Sequence, residues 1–174
     1  MIHHSGARNA FNFIIFQIGW LLCVIYPGWL STAVAFAIVG VHLVVVSQHR
    51  TRELEFILMG TLIGSLVDGL WFQLGFLSQP GPVPLWVPAW LIGLWAVFMT
   101  TLAHSLAWMG SRRWLPFALA PIAGPFAYWS ATRIGPVAFP DLIPSLIALA
   151  IGWGTVFPAL MALRQRRYPE LVPS

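Results

Sequence analysis

The 174-residue sequence predicts an all-α fold, a polytopic membrane helical bundle of six transmembrane helices with both termini in the cytoplasm. Three observations predict it. The first is composition: 59% of residues are hydrophobic, 8% are charged, none is lysine, and mean hydropathy is +0.81, far from what a soluble domain of this size carries. The second is the spacing of charge, since residues 9–49, 114–132 and 142–163 carry no formal charge and residues 56–111 carry only Asp68. The third emerges when these blocks are cut into lengths of about 20 residues, enough to cross about 30 Å of hydrocarbon. Eight of the nine arginines then fall on one side.

The first span, 10–26, runs from beyond Arg8 to the break Tyr26-Pro27-Gly28, and the second, 29–47, ends before Arg50. The third, 54–77, follows Arg50 and Arg52 and stops at Ser78-Gln79-Pro80-Gly81-Pro82-Val83-Pro84. The fourth, 85–109, leads to Arg112 and Arg113; the fifth, 114–132, to Arg133; and the sixth, 142–163, to Arg164, Arg166 and Arg167. Only Arg133 stands opposite, so the positive-inside rule makes the arginine-rich side the cytoplasm. Trp29, Trp86 and Trp90 sit near outer ends, and Trp108 and Trp114 near inner ends, as interfacial aromatic rings do.

A signal peptide cleaved near Ser31 to Ala33 would destroy the second span and the arginine pattern, so none is expected. The lone Cys23 permits no intrachain disulfide and is read as packing. The net charge of +4 belongs to membrane anchoring, and no nucleic-acid partner is expected. With no soluble stretch and no long linker, residues 1–174 form a single six-helix domain. Three spans followed by three make an inverted repeat geometrically allowed, although the halves do not align.

Polar residues inside spans mark where function or interhelical contact concentrates, because hydrocarbon penalises them. Asp68 lies on the stripe Gly60, Gly64, Asp68, continuing near Trp71 or Phe72 to Gly75, one face of the third helix. Glycines at that spacing admit a close neighbour, so Asp68 points into a helix contact or cavity, either as a ligand, proton or ion site or as a lock bonded to a Ser, Thr or Trp. The same face is equally consistent with a homodimer. Arg133 is the candidate partner of Asp68, with Asp141 competing for it at the outer rim. A second layer gathers toward the cytoplasm: Asn9, Asn12 and Gln17 on the first span, His42 on the second, and His104 with Ser105 on the fourth. Such a layer binds a headgroup, relays protons, or simply joins helices.

Five histidines are too few for the clustered pairs of a membrane di-iron centre; His3 and His4 are terminal and His49 stands at a helix end. Cys23, His42 and His104 share no evident depth, so neither metal nor cofactor is expected. There are no paired carboxylates and no serine with a usable base, and catalytic residues remain unassigned. In the fifth span, Pro116, Pro121 and Pro125 with Gly124 predict a kinked or partly unwound segment beside an internal cavity, the alternative being a kink that serves packing.

Asn12, Phe16-Gln17 and Trp20; Gly64 with Asp68; His104-Ser105-Leu106 after Trp90 and Trp95; and Gly124-Pro125 with Tyr128 together resemble a bacterial family of small multi-spanning inner-membrane proteins of unknown function. The resemblance covers nearly the whole chain. It implies the bacterial inner membrane as location, and genes for fatty-acyl modification as frequent neighbours, hence a lipid-modifying enzyme as a partner. It supplies no established active site. The candidate ligand-binding residues are therefore Asp68, Arg133, Asn12, Gln17, His42, His104, Ser105 and Tyr128, and the expected ligand is a membrane lipid or other amphipathic molecule. Two further functions fit the sequence: a small transporter or substrate-binding membrane subunit with its own partner, and an intramembrane enzyme using His42 or His104 at the inner leaflet.

Overall fold

The structure is a computed structural model that describes residues 5–81 and 86–172, so His3, His4 and the Pro82-Val83-Pro84 part of the predicted break lie outside the described residues. Among the described residues there are six α-helices and no strand: α1 (Ser5–Ile25), α2 (Trp29–Val45), α3 (Arg50–Gln73), α4 (Ala89–Thr101), α5 (Leu115–Ile134) and α6 (Leu142–Arg167). Each overlaps one predicted span. By length and composition α1, α3 and α6 are long and apolar enough to cross a membrane. Phe13, Ile14, Leu62, Leu66, Ile147 and Ile151 are exposed on them, an outward apolar surface that suits lipid and penalises contact with water. These features fit a membrane protein.

The fourth element departs from its predicted extent of 85–109. Helix α4 has 13 residues, which rise about 20 Å and fall short of a hydrocarbon core of about 30 Å. It is the central helix, with α1, α2 and α3 all packed on it, and Trp90, Leu91 and residues 95–101 are buried. Polar chemistry ends it. The Thr100 and Thr101 hydroxyls donate back to the carbonyls of Val97 and Phe98 at 2.7 and 2.6 Å, and the Leu102 N–H turns to Met99. The Arg164 guanidinium from α6 then donates to the carbonyls of Leu102 and Ala107, which have left the helical ladder. Arg164, read in sequence as a rim charge, is only 1% exposed.

Helix α5 is continuous through Pro121 and Pro125, so the predicted partial unwinding does not occur. Each proline deletes one backbone donor, and packing against a neighbouring helix makes that loss tolerable. That neighbour is α6, whose Trp153 ring lies directly on Gly124, where a Cβ would collide with it. Helix α6 also reaches α3, with Trp71 seated on Gly152.

Both ends of the bundle are tied. At one end Ser78 and Ala138 exchange backbone hydrogen bonds of 3.0 and 2.8 Å, joining the connections that follow α3 and α5. At the other, Arg52 pairs with Glu170 at 2.7 Å and donates to the Arg167 carbonyl, while Gln165 donates to Gly110. That second end gathers the start of α3, the close of α6 and the turns after α4.

Candidate functional site

One face of α3 organises the polar interior. Glu53, Ile57, Gly60, Gly64 and Asp68 recur at three- and four-residue spacing and are all buried. Met99 lies over Gly60 and Trp95 over Gly64, so close that no side chain would fit at either glycine. The glycine face is thus occupied by α4 of the same chain, which removes it as a homodimer surface.

Asp68 is fully buried, and each of its oxygens has a partner: Oδ2 accepts from Trp95 Nε1 at 2.8 Å, and Oδ1 from the Tyr128 hydroxyl at 2.6 Å. It therefore joins α3 to α4 and α5. Arg133 does not reach it; the guanidinium is exposed and sits 5.0 Å over the Trp129 ring, a position reached by snorkelling along its own helix. Asp141 forms no ion pair with Arg133 among the described residues.

The second polar group is larger and centres on a residue that sequence reading left out. Glu53 Oε1 accepts from His42 Nε2 at 2.6 Å and from His104 Nε2 at 2.9 Å, with the two imidazole rings 4.9 Å apart edge to face. Asn12 completes the group: its Nδ2 donates to the Thr100 hydroxyl and carbonyl at 3.0 and 3.3 Å, and its Oδ1 accepts from the Ser105 hydroxyl and backbone N–H at 2.7 and 3.3 Å. The same Nδ2 stands 3.2 Å from His42 Nδ1. Asn12, His42, His104 and Ser105 thus share one depth, whereas Gln17 is exposed on α1 and takes no part.

Glu53 was legible in principle. Extending the Asp68 stripe four helical turns toward the start of α3 reaches it, but its place between Arg52 and Glu55 makes it look like one more rim charge.

Two cavities border these groups. The first, about 170 Å³, is almost wholly apolar, lined by Phe16, Trp20, Trp95, Phe98, Ala127 and Trp153 among others, and it touches Tyr128. Its aromatic wall is compact, with the Trp95 and Trp153 rings stacked 5.2 Å apart and Phe98 edge-on to both. The second, about 440 Å³, is polar and lies at the tied end, lined by Ser5, Arg8, Asn9, Gln48, His49 and Glu170 with Glu53 and His104 at its inner wall.

His42 and His104, which the sequence places in one layer, meet a third possible ligand that it left out, since ligand atoms of His42, Glu53 and His104 lie within 4.8 Å of one another. The donor chemistry nevertheless disfavours a metal. Asn12 is locked in orientation by the Thr100 carbonyl and the Ser105 N–H, so its amide nitrogen, which cannot accept, faces His42 Nδ1. His42 Nδ1 must then accept, and Nε2 carries the proton that goes to Glu53. A metal on Nε2 would require a proton on Nδ1, pointing at the Asn12 donor.

A protein-family model described as "Protein of unknown function (DUF2878)" matches residues 9–159. No curated protein and no solved structure matches the chain.

Proposed function

The chain belongs to the DUF2878 family, and from that premise we propose that it is a six-span inner-membrane protein that holds the apolar part of a lipid or amphipathic small molecule. The observation that carries the proposal is the aromatic cavity of about 170 Å³ between α1, α4, α5 and α6. Apolar cavities of about 150 Å³ bind a benzene-sized guest and exclude water. This one suits a ring or a short stretch of acyl chain. A guest drawn from the bilayer is already among apolar chains, so close packing against the aromatic wall, and not release from water, favours its entry.

Six spans with both termini in the cytoplasm rest on the positive-inside pattern, and they need the turns from Leu102 to Gly110 to complete the crossing that α4 begins. Arg52, Arg164 and Arg167 take part in contacts at one end, and the Ser78 and Ala138 pairing closes the other. Service to membrane lipid modification follows from the same reading, with the guest as its substrate or cargo.

The test is native mass spectrometry of protein released gently from its membrane, comparing the natural chain with Ala127→Trp, whose indole would fill the cavity. The natural chain retains a defined lipid or apolar molecule, and the variant loses it. Equal retention by both would show that the cavity is not the binding site.

A second reading, an enzyme acting at the inner leaflet, draws on a separate observation: a buried carboxylate flanked by two imidazoles beside a polar cavity.

A further inference from the structure

The hydrogen bonds around Glu53 run in one direction only. Asn12 Nδ2, a nitrogen that offers donors and no acceptor, faces His42 Nδ1, so that nitrogen stays bare and His42 donates from Nε2 to Glu53 Oε1. His104 approaches the same oxygen through its own Nε2, which therefore also carries a proton, since a carboxylate oxygen offers no donor. Among the described residues, two acceptors of the group are left without a protein donor, Glu53 Oε2 and His104 Nδ1. His104 Nδ1 has no protein partner among the described residues, and the ring keeps 13% exposure at the wall of the rim cavity, while His42 is sealed at 0%.

The charges around that cavity are unequally committed. Glu53 already accepts from two imidazoles, and Glu170 is held by Arg52. The Arg8 side chain lines the cavity and makes no hydrogen bond or ion pair among the described residues, and Ser5, Asn9, Gln48 and His49 add further polar groups. The space therefore offers the Arg8 guanidinium to an incoming acid, set against the Glu53 carboxylate whose neutral imidazole partners leave its charge in place, with an imidazole lone pair at its floor.

We propose that this rim cavity binds the acidic head of an amphipathic molecule, a carboxylic acid or a phosphate monoester, and that His104 Nδ1 takes its proton. The O–H bond of the acid breaks and an N–H bond forms. The head remains as an oxyanion facing the new imidazolium and Arg8, and release returns the proton by the same path. Glu53, His42 and Asn12 are positioning residues: Glu53 fixes the ring with Nε2–H inward and stabilises the imidazolium, and Asn12 fixes the tautomer of His42 and so keeps it from competing for the proton. The groups facing His104 are Glu53 and His42 in contact, and Arg8, His49 and Glu170 across the cavity. This site is separate from the aromatic cavity, and either assignment stands if the other falls.

The experiment is ¹⁵N NMR of ring-labelled histidines in the full chain held in lipid nanodiscs, titrated over about pH 5 to 8 and then, at fixed pH, with dodecanoic acid, inorganic phosphate and zinc in separate samples. At fixed pH His42 is expected to keep a bare Nδ1 and a protonated Nε2 on each addition. His104 is expected to start in the same tautomer and to gain a proton at Nδ1 when dodecanoic acid is added. A response to inorganic phosphate as strong as to dodecanoic acid identifies a soluble anion as the source of the head and removes the amphipath from the proposal. His104→Ala should weaken dodecanoate binding by about tenfold to a hundredfold, the loss of one charge-assisted hydrogen bond, and Glu53→Gln should leave His104 a mixture of tautomers. The proposal is overturned if His104 rests with its proton on Nδ1, if His42 titrates in its place, or if zinc shifts both histidines tightly at one equivalent.

Discussion

Replacing Asp68 separates a helix lock from a ligand site. Its two oxygens accept hydrogen bonds of 2.8 and 2.6 Å from Trp95 and Tyr128, and the side chain has no exposure. Interhelical hydrogen bonds in membrane proteins average about 0.6 kcal/mol and reach about 1.7 kcal/mol. Asp68→Ala loses two of them and should therefore cost about 1–3.5 kcal/mol, the upper part being reached if the Trp95 N–H and the Tyr128 O–H find no new acceptor. Asp68→Asn should cost less, because its amide oxygen still accepts from Trp95 and the Tyr128 hydroxyl can rotate to accept from the amide nitrogen. The assay is equilibrium unfolding in mixed micelles, run as a double-mutant cycle with Tyr128→Phe. A coupling between Asp68 and Tyr128 of about 0.6–1.7 kcal/mol is expected. If Asp68→Ala matches the natural chain in stability and the coupling vanishes, Asp68 does not join these helices and the geometry has been misread.

Two further changes probe the tied end. Arg164→Met keeps the stem of the side chain but orphans the Leu102 and Ala107 carbonyls, so it should cost about 1.5–3 kcal/mol, while exposed Arg166→Gln should stay within about 0.5 kcal/mol; thermal unfolding of the two variants side by side is the check. The hydrogen bond from Arg52 holds the Glu170 carboxyl below its ordinary range, so the pair's contribution is present above the unfolded carboxylate pKa and fades as pH falls through the lower folded value; it should also weaken with salt, and Glu170→Gln should reduce both dependences of the melting temperature, with the Arg52–Glu55 pair left in place.

What the sequence disclosed depended on how local each signal was. All six helices overlap predicted spans, since charge-free runs and Pro-Gly breaks act over a few neighbouring residues. The early end of α4 was hidden, because its cause is Arg164, more than sixty positions away in the chain and carbonyl-seeking only once α6 is folded beside it. The glycine stripe correctly aims Asp68 at another helix, yet the pattern contains nothing that names Trp95 and Tyr128 as partners in preference to Arg133. Among the layer of Asn9, Asn12, Gln17, His42, His104 and Ser105, Asn9 and Gln17 are exposed, and a helical wheel alone cannot separate them from Asn12 without knowing where α4 lies. Glu53 was missed for the opposite reason: a charge at a helix start among arginines has a sufficient explanation in the rim, so nothing demanded a second one.

The two acids of α3 differ in a way that divides the molecule by role. Asp68 has both oxygens engaged by donors that belong to the fold, so its chemistry is complete within the chain. Glu53 concentrates two imidazoles on a single oxygen, and its Oε2 carries no hydrogen bond among the described residues. A buried oxygen with a fixed protein donor rigidifies a core, whereas one without, next to an accessible cavity, is costly unless water or another donor reaches it. The same face of the same helix thus carries a closed junction at one end and an open one at the other, and Gly60 and Gly64 between them bring α4 near enough to place Trp95 against the first while its end delivers His104 to the second. Any bulky residue at those glycines would push α4 away from both acids at once, so the lock and the rim site cannot vary independently along this face.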